Sequence, residues 1–128
     1  MFSHVMLGSN DIARSRRFYD ALFAVMGAAA GEEDAKGRLL YTHKGGLLMI
    51  SKPLDGKPAT PANGGTIGFW MSGPAEADAW HQAGVENGGT AVEDPPGVRD
   101  AKPRKEYLAY LRDPDGNKLC AFYFMPSE

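Results

Sequence analysis

Residues 4–28, HVMLGSNDIARSRRFYDALFAVMGA, lie over residues 66–90, TIGFWMSGPAEADAWHQAGVENGGT, when the 128-residue chain is slid by 62 positions. The register sets Phe18 on Trp80, Ala13 on Ala75, Ala21 on Ala83 and Gly27 on Gly89. Each copy reads as a strand, a helix and a glycine turn, the mark of one supersecondary unit used twice. Two small curved sheets, neither able to cover its own apolar face, can close on each other around a cavity. Function is therefore expected between the copies.

Working outward, Phe2 to Leu7 reads as a strand that ends at Gly8-Ser9-Asn10-Asp11, a cluster suited to a helix N-cap. Ile12, Tyr19, Leu22, Phe23 and Met26 return at helical spacing opposite Arg14, Arg16, Arg17 and Asp20, and Gly27 closes the helix. Ala28 to Ala30 predicts a short strand, and acidic Gly31 to Gly37 a loop. Arg38 to His43 and Leu47 to Ser51 predict two strands hinged at Lys44-Gly45-Gly46. The unit is βαβββ.

Lys52 to Gly65 holds Pro53, Pro58 and Pro61 with four glycine or asparagine residues and reads as a linker. The second copy runs from a strand at Thr66 to Ser72 through a helix at Ala75 to Glu86 and a turn at Gly88-Gly89. It ends in strands at Tyr107 to Arg112 and Lys118 to Phe124. Leu47 corresponds to Lys118 at an offset of 71 rather than 62, so nine additional residues enter the second copy, within the loop Asp94 to Glu106. That loop carries Arg99, Lys102, Arg104 and Lys105, and long loops in compact domains are often functional. The expectation is an α+β fold of two tandem βαβββ modules in one domain: module one 1–52, linker 53–65, module two 66–128.

At 43% hydrophobic residues and a net charge of −2 with both signs mixed, the chain has core for one body and no footprint for nucleic acid or an anionic membrane. Cys120 is the lone cysteine, which excludes an intrachain disulfide and a thiolate zinc knuckle. Met1 to Gly8 has neither a basic start nor a long apolar run, and no 18 consecutive apolar residues occur. A soluble, cytoplasmic protein is expected.

Asp113-Pro114-Asp115-Gly116-Asn117 joins the last two strands, and Ser15-Arg16-Arg17-Phe18-Tyr19 lies on the first helix. In this duplicated setting the chain resembles the vicinal oxygen chelate superfamily, which includes glyoxalase I, extradiol dioxygenases, fosfomycin-resistance transferases and bleomycin-resistance proteins. The turn itself needs no catalytic role: proline presets φ, aspartate caps its own backbone and glycine accepts positive φ. The resemblance implies an open half-barrel cavity and four inward ligand positions, which fall on His4, Met49, Thr66 and Cys120. Enzyme members carry His or Gln and Glu there, so only His4 matches. A hard divalent ion gains little from a thioether or a neutral hydroxyl, so no metal and no cofactor is expected. If these positions face inward, strand alternation brings Met6, Leu47, Ser51, Gly68, Trp70, Lys118, Phe122 and Phe124 with them. Tyr110, three residues before the turn, is placed inward by resemblance to the resistance transferases.

Three classes stay open. A binding module for a small apolar or aromatic molecule would use Met6, Met49, Thr66, Trp70, Cys120 and Phe122 as its wall, with Arg99 and its basic loop at the mouth for anionic ligands. A glyoxalase I-like metal-dependent lyase or isomerase would need ligands beyond His4. A metal-independent enzyme would use His4 as acid or base and Tyr110 as a hydrogen-bond donor to an oxyanion. The first is the preferred reading. Open half-barrels leave sheet edges to be paired, so a homodimer is expected.

Overall fold

In the computed structural model, which describes residues 1–100 and 103–127, the 62-residue register holds through the first strand and helix of each module. Strand β1 (Val5–Gly8) and helix α1 (Ile12–Val25) correspond to β5 (Ile67–Trp70) and α2 (Pro74–Glu86). Module one adds β2 (Glu32–Glu33), β3 (Leu39–His43) and β4 (Gly46–Ser51). Module two adds β6 (Thr90–Ala91), β7 (Gly97–Arg99), β8 (Glu106–Arg112) and β9 (Lys118–Phe124). The first sheet is ordered β1-β4-β3-β2, and the second β5-β9-β8-β6 with β7 also on β8. Both first strands pair in parallel with the last strand of their module, Met6 beside Met49 and Gly68 beside Cys120. Those pairs reproduce the offsets of 62 and 71.

The helices form because their apolar residues recur at helical spacing, and each starts at a defined cap. Asp11 accepts a hydrogen bond from the Arg14 amide, and Pro74 occupies the first turn of α2, where its missing N–H costs nothing. Phe18, Tyr19, Leu22 and Phe23 of α1 pack with Trp80 and Ala77 of α2 over one face of both sheets. That face presents Leu39, Tyr41, Leu48 and Ile50 from the first sheet and Ala109, Leu111, Leu119 and Ala121 from the second. Fully burying one such side chain contributes about 1.5–3 kcal/mol, so this single layer holds the fold. Alternation turns Met6, Leu40, Met49, Gly68, Trp70, Tyr110, Cys120, Phe122 and Phe124 to the opposite face, away from the helices.

Three local expectations are corrected. The strand expected at Ala28 to Ala30 lies at Glu32–Glu33 instead. Gly31 is tied to α1, its amide donating to Asp20 Oδ1 and its carbonyl accepting from Arg16 Nη1, so pairing with β3 begins only beyond it. The first strand starts at Val5 rather than Phe2, since its parallel ladder opens at Val5 beside Leu48. The stretch Asp94 to Glu106 is not all loop, because Gly97–Arg99 pairs with Glu106 to Leu108. Lys102 lies outside the described residues. No helix among the described residues is long and apolar enough to cross a membrane.

Candidate functional site

Besides the packing of α1 on α2, the two modules meet at two places related by the repeat, and the chain treats them differently. At the first, the β8–β9 turn reaches the start of α1. Asp115 Oδ1 accepts from the Asn10 amide and from Arg14 Nη2, both at 2.8 Å, and Oδ2 accepts from Ser15 Oγ at 3.3 Å. Asn117 Nδ2 donates to the Gly8 carbonyl, and Asp113 Oδ2 accepts from the Tyr19 hydroxyl at 2.5 Å. Asp113 and Asn117 are buried. Burial and the facing Asp113 carboxylate raise the Tyr19 phenol well above its ordinary pKa, so it stays a neutral donor. This junction is sealed.

At the second, the β3–β4 connection is only Lys44-Gly45, which lacks the length and the side chains for such a network. A cavity of about 260 Å³ remains between this hairpin end and β5. His43, Lys44, Gly46 and Leu47 line it from the hairpin, Ile67, Phe69 and Trp70 from β5, and Phe23, Met26 and Tyr41 from below. Trp70 is 69% exposed and makes edge contact with Phe122, whose ring centroid lies 5.3 Å away. Phe124 completes the triad at 4.9 Å from Phe122 and 5.7 Å from Trp70. Gly68, Phe69, Trp70, Phe122 and Phe124 form a second hollow of about 290 Å³. Trp70 is thus the shared wall of two hollows. A Cβ built on Gly68 meets nothing within 4 Å, so the space beside the indole is open.

Of the four positions that the resemblance marks as ligands, two are exposed and two are buried. His4 and Thr66 precede their strands and are exposed, and His4 Nδ1 hydrogen-bonds Ser3 Oγ at 2.8 Å. Met49 and Cys120 are buried mid-strand in different sheets. Desolvation raises the Cys120 thiol to about 11, against a smaller lowering by its hydrogen bond with Tyr110, so the free thiol is protonated near neutrality. Among the described residues no three His, Cys, Asp or Glu side chains group as a metal site requires. The donor set does not fit the divalent ion that the fold family implies.

Tyr110 pairs with Cys120 across the ladder, and Lys118 Nζ sits 4.9 Å from its ring centre while paired with Glu93. Burial raises its pKa, so it offers a neutral hydroxyl. His4 lies before the first sheet and Tyr110 in the second, with no hydrogen bond joining them. Arg99 Nη2 donates to the carbonyls of Asp94 and Pro95, which folds it onto its own loop. Arg104 stacks on Phe124 at 4.6 Å and donates to the Met125 carbonyl. Met6 is half-exposed on the other module's open face. Sequence reasoning missed Phe23, Met26, His43 and Lys44 as cavity residues. The signal was available in the unequal turns, two residues against five.

Two mixed sheets under two helices, with an apolar hollow at their junction, define an α+β glyoxalase/bleomycin-resistance type of protein. The chain belongs to the Glyoxalase/Bleomycin resistance protein/Dioxygenase superfamily, whose family profile matches residues 1–121. It is similar to a glyoxalase/bleomycin resistance protein from Albidiferax ferrireducens T118, with 51% identity and a TM-score of 0.91 over 95% of this chain and 98% of that one. A glyoxalase-related enzyme from Fulvimarina pelagi (19% identity, TM-score 0.71, 100% and 99% covered) shares the fold. So does a putative glyoxalase from Bacillus halodurans (18%, TM-score 0.74, 95% and 94% covered). Comparison with curated proteins found no significant match.

Proposed function

We propose that the protein binds a small, flat, apolar or aromatic molecule in the gap between its modules, without a metal ion. The observation that carries this reading is Trp70, exposed at 69% yet the common wall of two adjoining hollows beside the open space over Gly68. Covering an indole stabilises a complex by about 25 cal/mol per Å² of apolar surface removed from water. A void of about 150 Å³ admits benzene, so 260 Å³ has room for about two fused rings. His43 and Lys44 supply the sparse polar contacts that orient such a ligand. That no hydrogen bond joins His4 to Tyr110 and that the free thiol is protonated support binding over catalysis.

Titration calorimetry with 2-naphthol, a neutral two-ring probe, tests the reading. Saturable binding is expected, weakened about tenfold or more in Trp70→Ala and blocked in Gly68→Leu. Absence of binding, or equal binding by all three proteins, would overturn it. Metal analysis after incubation with Ni²⁺, Mn²⁺, Fe²⁺ and Zn²⁺ should find only substoichiometric metal, whereas a full equivalent lost in His4→Ala would favour the lyase alternative. We also propose a homodimer, because Phe2 and Val98 are exposed apolar side chains that a second copy would cover. A monomer by light scattering at micromolar concentration contradicts that.

A further inference from the structure

Module one carries its own counterpart of the Trp70 groove, and duplication makes the two directly comparable. The offsets of 62 and 71 place Met6, Leu7 and Gly8 on Gly68, Phe69 and Trp70, and Ser51 and Pro53 on Phe122 and Phe124. Where module two is filled with aromatic rings, module one has a glycine, a serine and a proline, and a groove of about 640 Å³ stays open. Its apolar surface comes from Met6, Leu7, Pro53 and the fully exposed Leu54. Its polar lining is cationic: Lys36, Arg38 and Lys52, with no carboxylate among the lining residues.

The groove is walled by a segment held in place. Asn10 takes the Ala59 amide on its Oδ1 at 2.7 Å and donates its Nδ2 to the Ala59 carbonyl at 3.1 Å, drawing the chain after β4 back over the end of β1. Ala59 there leaves no room on Gly8, whose Cβ would stand 3.0 Å from the Ala59 Cβ. Arg38 is oriented by its Nε donating to Asp34 Oδ2 at 2.6 Å, while its Nη groups have no hydrogen-bond partner among the described residues. Lys36 and Lys52 have no ion-pair partner among the described residues. Two exposed lysines and the free edge of a guanidinium whose charge Asp34 partly offsets stand beside exposed apolar surface, and they complement a molecule with both an apolar body and an anionic group.

We propose that this module-one groove is a second binding site, selective for a small amphipathic anion: an apolar chain or ring bearing a carboxylate, sulfate or phosphate. The anion lies among Lys36, Arg38 and Lys52, and the apolar body runs over Met6 toward Leu54. The site is separate from the Trp70 wall, since Phe122 and Phe124 stand at the far end of β9 from the turn that touches Gly8.

Decanoate and 1-decanol, matched in chain length, test the proposal by calorimetry on the full chain. Decanoate should bind at least tenfold tighter than the alcohol, and more weakly at high salt. Lys36→Glu with Lys52→Glu, both at exposed positions, should weaken decanoate about tenfold. Ser51→Phe should abolish binding by placing in module one the ring that module two carries, with unchanged circular dichroism reporting an intact fold. Trp70→Ala should leave decanoate binding unchanged, which separates this site from the 2-naphthol site. Equal binding of decanoate and decanol, no response to the lysine reversals, or loss of decanoate binding in Trp70→Ala would overturn it. So would co-sedimentation with phosphatidylglycerol vesicles in the absence of decanoate binding, which would assign the groove to a membrane surface instead.

Discussion

Asp113-Pro114-Asp115-Gly116-Asn117 and Lys44-Gly45 connect the same two strands in the two modules, yet one seals a junction and the other leaves it open. The longer turn carries two carboxylates and an amide that reach the cap of α1 and the end of β1. The shorter turn presents a lysine and a glycine to β5, and the unfilled volume becomes a 260 Å³ cavity. The repeat gave both junctions the same starting geometry, so the difference lies in turn length and side-chain chemistry. A duplicated fold can thus close one junction with hydrogen bonds and leave a cavity at the other.

Unsealing the closed junction has the largest expected effect. Asp115→Ala would leave the Asn10 amide and the Arg14 guanidinium without their acceptor, and should cost about 2–4 kcal/mol in urea unfolding. A loss below about 1 kcal/mol would mean that the turn does not hold the modules together. Next come the repeated glycines. A Cβ on Gly89 would lie 2.5 Å from Phe18 Cε1 and 3.0 Å from the Arg112 carbonyl oxygen, whereas on Gly27 it meets nothing and only φ of +79° resists it. Gly89→Ala should therefore cost about 2–3 kcal/mol and Gly27→Ala about 1 kcal/mol, in the same assay. Equal losses would show that the two positions share one constraint.

Tyr19 of the sealed junction and Tyr41 of β3 together predict an alkaline limit. Tyr19 is raised well above 10 and Tyr41 is raised too, so both hold protons in the folded state that the unfolded chain releases near pH 10. Their stabilisation is complete below about pH 10 and falls as pH rises toward the folded values, by about 1.4 kcal/mol per pH unit for each tyrosine. Tyr19→Phe should remove one such increment from the slope, whatever it does to stability at neutral pH. An unchanged slope contradicts the assigned cause. The smallest effect belongs to the open turn. Lys44 holds φ of +46° beside Gly45 at +82°, a geometry that Asn-Gly adopts more readily. Lys44→Asn should raise stability by about 0.5 kcal/mol; a loss would place Lys44 in a contact that the turn depends on.

Much of this architecture was legible because it rests on periodicity and duplication. The helix starts follow Asp11 and Pro74, and the offsets 62 and 71 match the ladder pairs Met6–Met49 and Gly68–Cys120. What was not legible depends on contacts between distant segments. Nothing local to Ala28 to Ala30 tells that Asp20 and Arg16 will anchor Gly31 and delay the strand. His4 reads as a strand residue by alternation, but the parallel ladder begins one residue later. The three residues of β7 pair only because β8 passes beside them. At the site, the aromatic wall followed from alternation along β5 and β9. The cavity beside it required knowing that the Lys44-Gly45 turn ends short of β5, a fact about two modules together.

The most direct measurement is a crystal structure of the protein grown with 2-naphthol. Density for the rings is expected beside Gly68, stacked on or against the edge of Trp70 and reaching toward His43 and Lys44. Density coordinated through His4 to a metal ion, or a ligand seated away from Trp70 with the junction cavity empty, would contradict it.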